Sequence, residues 1–356
     1  MAKESATLSP EPEQPVIDEV ETTPEPLFRR FLNKRTLLSF VIGFGILAVV
    51  MSRINVEAGA IVARLSQADA RWYALAFVTY YLTFPLRGLR WRKLLQNAGF
   101  ERDHGITLPS VREISEIIML SWFANCIVPA KLGDAYRAYL LKRASGASFS
   151  MTFGTILAER IIDTLLVFVL LGGAALAVFS GHLPNTVMTI LEAGSVLAVL
   201  VIAGLVVMRN FGGFIVRLVP QRFQRHYGSF EKGTLGSFNG LRMVLAYSLG
   251  AWAVEALRLY LVGLSLGVEW VSTTMIIFVA MASALLTTLP ITPAGLGFVE
   301  SAMVGILLVA GRMGIIPGMD ESLATSVAIL DRSISYWSLV LVGLVLYLVR
   351  RRKALI

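Results

Sequence analysis

The chain has 356 residues, of which 56% are hydrophobic and only 16% are charged, and it carries a net charge of +8. Its mean hydropathy of +0.69 lies far above the range of soluble domains. This composition excludes a soluble globular protein and predicts an all-α polytopic integral membrane protein. The sequence leaves no long polar stretch in which a separate catalytic domain could fold, so we expect a protein that is not an enzyme.

The first 35 residues are the most polar part of the chain. Residues 1–26 contain one lysine, seven acidic residues and five prolines, which gives them a net charge of −6. A segment with so few apolar side chains cannot pack, and we predict that residues 1–35 form a disordered cytoplasmic tail with a basic end beside the membrane. Because this acidic tail precedes the first apolar run, we expect that run to be an uncleaved anchor and not a signal peptide.

Apolar runs follow in chain order, and roughly 17 to 25 such residues are needed to cross a bilayer. Six runs are predicted to span the membrane, at residues 36–52, 71–89, 150–179, 186–208, 242–268 and 322–349. Two further runs are interrupted by proline: 114–128 ends at Pro129, and 274–289 ends at Pro290 and Pro293. We predict six spanning helices and two re-entrant broken hairpins.

Clusters of Lys and Arg orient these segments, because basic residues accumulate in short cytoplasmic loops. Such clusters precede the first run and follow the last one, which predicts that both termini are cytoplasmic, with 351–356 as a basic tail. Basic clusters also lie on either side of run 114–128. This run is therefore predicted to enter and leave the membrane on the cytoplasmic side.

Three motifs recur in the same order along the chain. "GLRWRKLLQNAGF" from position 88 aligns with "ALRLYLVGLSLGV" from 256, "PAKLG" from 129 with "PAGLG" from 293, and "ILAERIID" from 156 with "AILDRSIS" from 328. The nearly equal offsets of 168, 164 and 172 residues predict an internal repeat with halves at about 36–180 and 186–350. The basic clusters give the halves opposite orientations, and inverted repeats with broken helices are typical of transporters.

Five segments resemble one known family: "LRGLRWRKLL", "NCIVPAKLGDAYRAYLLKR", "TILAERIIDTLL", "LPITPAGLGFVESA" and "AILDRSISYW". They look like the lysylphosphatidylglycerol synthase transmembrane region, the flippase-like module of the multiple peptide resistance factor and its stand-alone relatives. The family's first loop ends in Gly, then Glu and, three residues later, Arg; here Asp134 replaces the Glu and Arg137 matches.

This resemblance covers about residues 71–350. It implies that 36–350 form a flippase-like domain of a plasma membrane, one that moves a modified phospholipid or a polyprenyl-linked lipid between the leaflets. The aminoacyl-transferring domain of the synthase has no counterpart in this sequence, so we expect no synthase activity.

The two broken hairpins supply the candidate lipid-headgroup residues, which are Pro129, Gly133, Asp134, Arg137, Pro293, Gly295, Gly297 and Glu300. We interpret Asp134 and Arg137 as an acid–base pair in which Asp134 contacts an ammonium and Arg137 a phosphate. The repeat predicts that Glu300 faces the same cavity. The alternatives are that Pro-Ala-x-Leu-Gly is only a tight turn and that both acids only cap the starts of helices.

A second set of charged residues lies within the predicted spans: Glu159, Arg160, Asp331, Arg332, Glu255 and Arg258. Neighbouring residues on a helix point about 100° apart, so each member of Glu159-Arg160 and of Asp331-Arg332 needs another partner. Local pairs three residues apart are Arg160 with Asp163 and Glu255 with Arg258. A sharper hypothesis pairs the two halves, with Glu159 bound to Arg332 and Asp331 to Arg160.

Other signals are weak. The three histidines lack metal-ligand spacing and no nucleotide-binding motif is present, so we expect no metal, no cofactor and no nucleic acid. A basic loop between the halves is predicted to meet anionic lipid headgroups; it contains Arg209, Arg217, Arg222, Arg225 and Lys232.

Three functions stay open at this point. The first is translocation of a membrane lipid. The second is a non-transporting membrane subunit that binds a lipid for a glycosyltransferase or another lipid-modifying enzyme. The third is an enzyme that acts on polyprenyl phosphates.

Overall fold

The computed structural model describes residues 38, 41–42, 45, 58–101, 103–128, 132–179, 185–270, 272–287 and 292–352. These ranges are built from helices and contain no strand, which confirms the predicted all-α class. Their helices are α1 (Ala58–Ser66), α2 (Ala70–Asn97), α3 (Val111–Ile127), α4 (Leu132–Ser145), α5 (Phe149–Val178), α6 (Asn185–Leu218), α7 (Gln221–Gly236), α8 (Leu241–Ser265), α9 (Thr273–Thr287), α10 (Phe298–Arg312), α11 (Glu321–Arg332) and α12 (Leu339–Arg352). A 3₁₀ turn, Pro293–Gly295, precedes α10, and a π-helical segment, Ser333–Ser338, joins α11 to α12.

Five helical stretches in the described residues are long and apolar enough to cross a membrane. They are Phe149–Val178, Val187–Leu218, Leu241–Ser265, Pro293–Arg312 and Glu321–Arg351. Four of them correspond to the predicted spans 150–179, 186–208, 242–268 and 322–349. The predicted span 36–52 lies outside the described residues except for positions 38, 41–42 and 45.

Helix α2 contains the predicted span 71–89 but is not one of the five apolar stretches. Its 28 residues give it a length of about 42 Å, which is enough to cross a bilayer. The buried residues of α2 include Thr79, Thr83, Arg87 and Arg90. These polar side chains lower the mean hydropathy of α2. Because they are buried, they also place charge in the interior of the protein.

Both predicted interruptions coincide with helix ends. Helix α3 ends at Ile127 and α4 begins at Leu132, while α9 ends at Thr287 and α10 begins at Phe298. The stretch Pro293–Arg312, predicted as the second arm of a hairpin, has the length of a span because the apolar run continues through all of α10. The re-entrant course of the two hairpins stays a prediction.

The first interruption is held together by Gly133. A Cβ at this position would lie 2.1 Å from the carbonyl oxygen of Ser121 on α3, so only glycine lets α4 start this close to α3. The Gly133 N–H also donates a hydrogen bond to Asn125 Oδ1 (2.9 Å). Pro129 itself lies outside the described residues.

The second interruption depends on two glycines in the left-handed region of backbone space. Gly295 and Gly297 have φ angles of +74° and +85°, which side chains with a Cβ adopt only with strain. The Gly297 N–H donates to Glu300 Oε2 (2.7 Å), so Glu300 closes the first turn of α10. This is the capping role that the sequence left open for Glu300.

The helices pack around a core that joins the two predicted halves. Helix α2 packs along α8 more extensively than any other described pair of helices, and α5 packs against α7 and α9. Helices α5 and α7 approach closely at Gly154 and Gly233, where an added Cβ would lie 2.2 Å and 2.1 Å from backbone oxygens of the other helix.

The predicted basic loop between the halves is helical, which corrects the prediction. Arg209 and Arg217 lie on α6, and Arg222, Arg225 and Lys232 lie on α7. The helix forms because Phe223, Tyr227 and Phe230 recur at helical spacing and give α7 an apolar stripe.

A contact at the start of α11 ties α1 to the rest of the protein. Asp320 caps α11 by accepting a hydrogen bond from the Leu323 N–H (2.7 Å), and it forms an ion pair with Arg64 of α1. Partial burial acts to raise the pKa of Asp320, but the Leu323 N–H, the Ser322 hydroxyl and the Arg64 guanidinium together lower the pKa below its ordinary value.

Candidate functional site

A cavity of about 220 Å³ lies between α2, α3, α5, α8, α9, α10, α11 and the π-helical segment. Its walls combine apolar side chains with an unusual number of charged ones. The charged lining residues are four arginines and three carboxylates: Arg87, Arg160, Arg258, Arg332, Asp163, Glu255 and Asp331. These seven residues give the wall one excess positive charge.

Five more charged side chains stand behind the cavity wall: Arg90, Arg137, Asp134, Glu159 and Glu300. With the lining residues they make a set of six arginines and six carboxylates, called here the charged cluster. Ten of its members are buried, and Arg160 and Glu255 are partly buried. Isolated charges at such depth cost several kcal/mol each, so the cluster is stable only if its members are paired.

In the first half, arginines of α2, α4 and α5 pair with carboxylates of α4 and α5. Arg160 binds Asp134 with both oxygens engaged (2.7 and 3.0 Å), and Arg137 binds Glu159 in the same bidentate way (2.9 and 3.0 Å). Arg90 contacts Glu159 (2.8 Å) and is hydrogen-bonded to Asp163. The Arg137 guanidinium also stacks on Trp91, 3.7 Å from the ring centre.

In the second half, α8, α10 and α11 supply the pairs. Arg332 donates from Nε to Glu300 Oε1 (2.7 Å) and from Nη2 to the Ala294 carbonyl oxygen (3.1 Å). Arg258 binds Asp331 and also Glu255 (3.2 Å), so one arginine serves two carboxylates.

One predicted ion pair is confirmed and four are wrong. Glu255 pairs with Arg258 as expected from their spacing. The structure does not pair Asp134 with Arg137, nor Arg160 with Asp163, nor Glu159 with Arg332, nor Asp331 with Arg160. Among the described residues each of these groups binds another partner within its own half. The reason is the packing of α4 on α5, which brings Asp134 and Arg137 to different residues of the neighbouring helix.

The predicted headgroup residues are divided between the wall and the layer behind it. Gly133, Asp134, Arg137, Gly297 and Glu300 are not in the cavity wall, whereas Arg160 and Arg332, the partners of the two hairpin acids, are. Pro293 and Gly295 form the turn before α10, with Ala294 between them at the cavity. The hairpin acids thus hold two arginines at the wall.

Many lining residues were not identified as site residues in the sequence, and they include Arg87, Trp122, Trp252 and Ser283. The Arg87 guanidinium lies over the rings of Trp122 and Trp252, 4.8 and 5.2 Å from their centres. The buried Ser283 hydroxyl has no hydrogen-bond partner among the described residues. One signal existed: Arg87 and Glu255 are separated by the 168-residue offset of the repeat. The two tryptophans carried no signal, because their positions depend on how three helices meet.

Comparison with known proteins identifies the family of this chain. Residues 37–343 match the family described as the lysylphosphatidylglycerol synthase TM region. The chain belongs to this family. All twelve residues of the charged cluster lie within the matched range.

Three similar proteins come from archaea. A UPF0104 membrane protein of Methanocaldococcus jannaschii is 35% identical over 65% of this chain and 96% of its own length. A UPF0104 membrane protein of Pyrococcus horikoshii is 24% identical over 82% of this chain and 90% of its own length. The glycosyltransferase AglD of Haloferax volcanii is 24% identical over 81% of this chain, but the match covers only 50% of AglD.

Proposed function

We propose that this protein binds the headgroup of a membrane lipid in the charged cavity and moves the lipid between the leaflets of the plasma membrane. The observation that carries the proposal is the cavity itself, which lies between helices of an integral membrane protein and is lined by four arginines and three carboxylates. The acyl chains would stay in the bilayer while the headgroup passes through the polar interior.

The cost of the charged cluster supports a functional role. A protein that needed only stability would gain more from apolar packing, because buried ion pairs contribute little once desolvation is counted. Ionisable side chains inside membrane proteins are rare and mark pathways for polar substrates. Ten buried charged side chains around one cavity therefore favour a polar ligand.

The repeat supports movement as well as binding. Under its offsets, Arg90 with Glu159 corresponds to Arg258 with Asp331, and both pairs are formed. The acids of the two hairpins also bind arginines that correspond to each other under the repeat: Asp134 binds Arg160, and Glu300 binds Arg332.

One ion pair links the halves at matching positions. Arg87 and Glu255 correspond under the same offset and approach within 3.5 Å, as expected near a pseudo-twofold axis. We propose that the halves are inverted, with hairpins that re-enter the membrane, and that they rock about this contact to open the cavity to each side in turn.

A second candidate is a membrane subunit that holds a lipid for a partner enzyme without moving it. The match to half of AglD favours it, because the same kind of region is there part of a protein named as a glycosyltransferase. Such a subunit would need the cavity but would not need access from both sides. Lipid exchange therefore separates the two candidates.

Purified protein in liposomes that contain head-labelled lipids tests the proposal. Ala284 lines the cavity, so Ala284→Phe fills it without removing a charge, while Ala203→Phe adds the same volume on the exposed surface of α6. We expect the unchanged protein and Ala203→Phe to exchange lipid between leaflets and Ala284→Phe to stop the exchange. Exchange that continues at the same rate in Ala284→Phe would contradict translocation through the cavity.

A further inference from the structure

Arg87 differs from the other arginines of the charged cluster. It lies in the middle of α2, its side chain is only 4% exposed, and it lines the cavity. Its guanidinium lies over the rings of Trp122 of α3 and Trp252 of α8. Cation–π contacts of this kind fix the position of a guanidinium without using its hydrogen-bond donors.

The hydrogen bonds of Arg87 are incomplete. In the part of the chain that the structure describes, its guanidinium makes one hydrogen bond, from Nε to Thr83 Oγ1 (3.1 Å). The nearest carboxylate oxygens are those of Glu255 at 3.5 Å and Asp163 at 3.9 Å, and neither accepts a hydrogen bond from it. A guanidinium has five N–H donors, and those on Nη1 and Nη2 make no hydrogen bond to any described residue.

The carboxylates of the cluster are all occupied. Each of the six accepts hydrogen bonds from one of the other five arginines, and Arg258 serves both Glu255 and Asp331. Arg87 is therefore the one arginine of the cluster that forms longer ion pairs, with Glu255 and Asp163, but makes no hydrogen bond to a described carboxylate. The cavity has a donor for an anion and no free carboxylate for an ammonium group within the described residues.

A second unsatisfied group points to the same chemistry. Ser283 Oγ on α9 is buried, lines the cavity and makes no hydrogen bond within the ranges described. A buried hydroxyl without a partner is costly, and a guanidinium N–H that faces the cavity without an acceptor also gains from a ligand oxygen. Both groups gain a partner if a ligand with several acceptor oxygens enters, and a phosphate supplies them.

We propose that the cavity takes the phosphate of a lipid whose headgroup carries no ammonium, with Arg87 as its main ligand and Ser283 as a further donor. This inference rests on the proposed function and names its substrate class. The charged cluster as a whole is neutral, so the phosphate would be held by the Arg87 donors that have no acceptor among the described residues and not by an excess of positive charge. An aminoacylated headgroup brings one or more ammonium groups, which would meet carboxylates that are already bound.

Direct binding to the full chain in detergent, measured by calorimetry, tests the assignment. The probes are farnesyl phosphate and dihexanoyl phosphatidylglycerol, which lack an ammonium, dihexanoyl lysylphosphatidylglycerol, which has two, and inorganic phosphate, which has no lipid part. We expect at least one ammonium-free lipid to bind more tightly than the lysyl lipid and than inorganic phosphate. Tighter binding of the lysyl lipid overturns the proposal, and equal binding of inorganic phosphate overturns its lipid part.

Variants locate the binding. Arg87→Gln should lower the affinity for the ammonium-free lipid by at least about tenfold, because the substitution removes charge-assisted hydrogen bonds. Arg71→Gln is the matched control on the same helix, since the Arg71 side chain is 89% exposed. Ser283→Ala leaves the charged cluster intact and should lower the affinity for the lipid about threefold or more. This variant tests the location of the phosphate if Arg87→Gln does not fold. Unchanged affinity in Ser283→Ala and in every folded Arg87 variant would show that the phosphate binds elsewhere.

The two proposals fail in different ways. If the lysyl lipid is preferred while Ala284→Phe still stops leaflet exchange, the headgroup assignment is wrong and translocation stands. If Ala284→Phe exchanges lipid at the unchanged rate, translocation through the cavity is wrong whichever lipid binds.

Discussion

Neutralising Glu159 should destabilise the protein more than neutralising an exposed acid. Glu159 is 4% exposed, and its carboxylate lies against two buried guanidiniums, with two hydrogen bonds from Arg137 (2.9 and 3.0 Å) and a contact from Arg90 at 2.8 Å. Glu159→Gln keeps the shape of the side chain and removes its charge. Arg137 and Arg90 then remain buried with less compensation.

The magnitude follows from the cost of a buried charge that has lost its partner, about 3–5 kcal/mol. A chain of this size loses roughly 2 °C of melting temperature per kcal/mol, so we expect a fall of about 6–10 °C for the protein in detergent. Glu101→Gln is the control, because Glu101 pairs with Arg92 at 3.6 Å on the exposed surface. Surface pairs contribute about 0–1 kcal/mol.

A double-mutant cycle then separates pairing within a half from pairing between halves. Adding Arg137→Gln to Glu159→Gln removes the unpaired arginine as well, so part of the lost stability should return and the two effects should not add. Arg332 binds Glu300 instead, so adding Arg332→Gln to Glu159→Gln should give effects that add. A melting temperature of Glu159→Gln equal to that of Glu101→Gln, or coupling to Arg332 in place of Arg137, would refute the network described above.

Two further substitutions test the packing and the end of α11. Gly133→Ala should lower the melting temperature by an amount that corresponds to about 1–3 kcal/mol, because the new Cβ would meet the Ser121 oxygen. Gly204→Ala on α6 is the control: its new Cβ would meet nothing within 4 Å, so the melting temperature should rise slightly. Asp320→Ala should cost about 0.5–2 kcal/mol at pH 7. Since folding lowers the pKa of Asp320, its stabilising effect is present above the unfolded-state pKa of about 4 and is lost as the pH falls through the folded value. The difference in melting temperature between the protein and Asp320→Ala should therefore shrink between pH 5 and pH 3, and a constant difference would contradict the cap.

Features set by local sequence could be predicted. The helix ends at Ile127 and Thr287 follow from the prolines beside them, and the pair of Glu255 with Arg258 follows from their spacing on one helix. The missed helix α7 also had a local signal, the apolar residues at helical spacing, which the basic charges obscured.

Features set by the meeting of helices could not be predicted. The partner of Arg137 is Glu159 and not the nearby Asp134, because α4 lies along α5 in a way that no spacing records. Arg87 lies beside basic residues of the predicted cytoplasmic loop, and only the packing of Trp122 and Trp252 from two other helices identifies it as part of a site.

The most direct test of transport is whether one position in the cavity can be reached from both sides of the membrane. The chain has one cysteine, Cys126, which is buried, so Cys126→Ala gives a background free of thiols. Ser335 lines the cavity, and Ser335→Cys in that background can be treated with a membrane-impermeant thiol reagent from either side of sealed vesicles. Alternating access predicts labelling from both sides, with labelling from one side protecting against the other. Labelling from one side alone would contradict transport and favour a subunit that only holds its lipid.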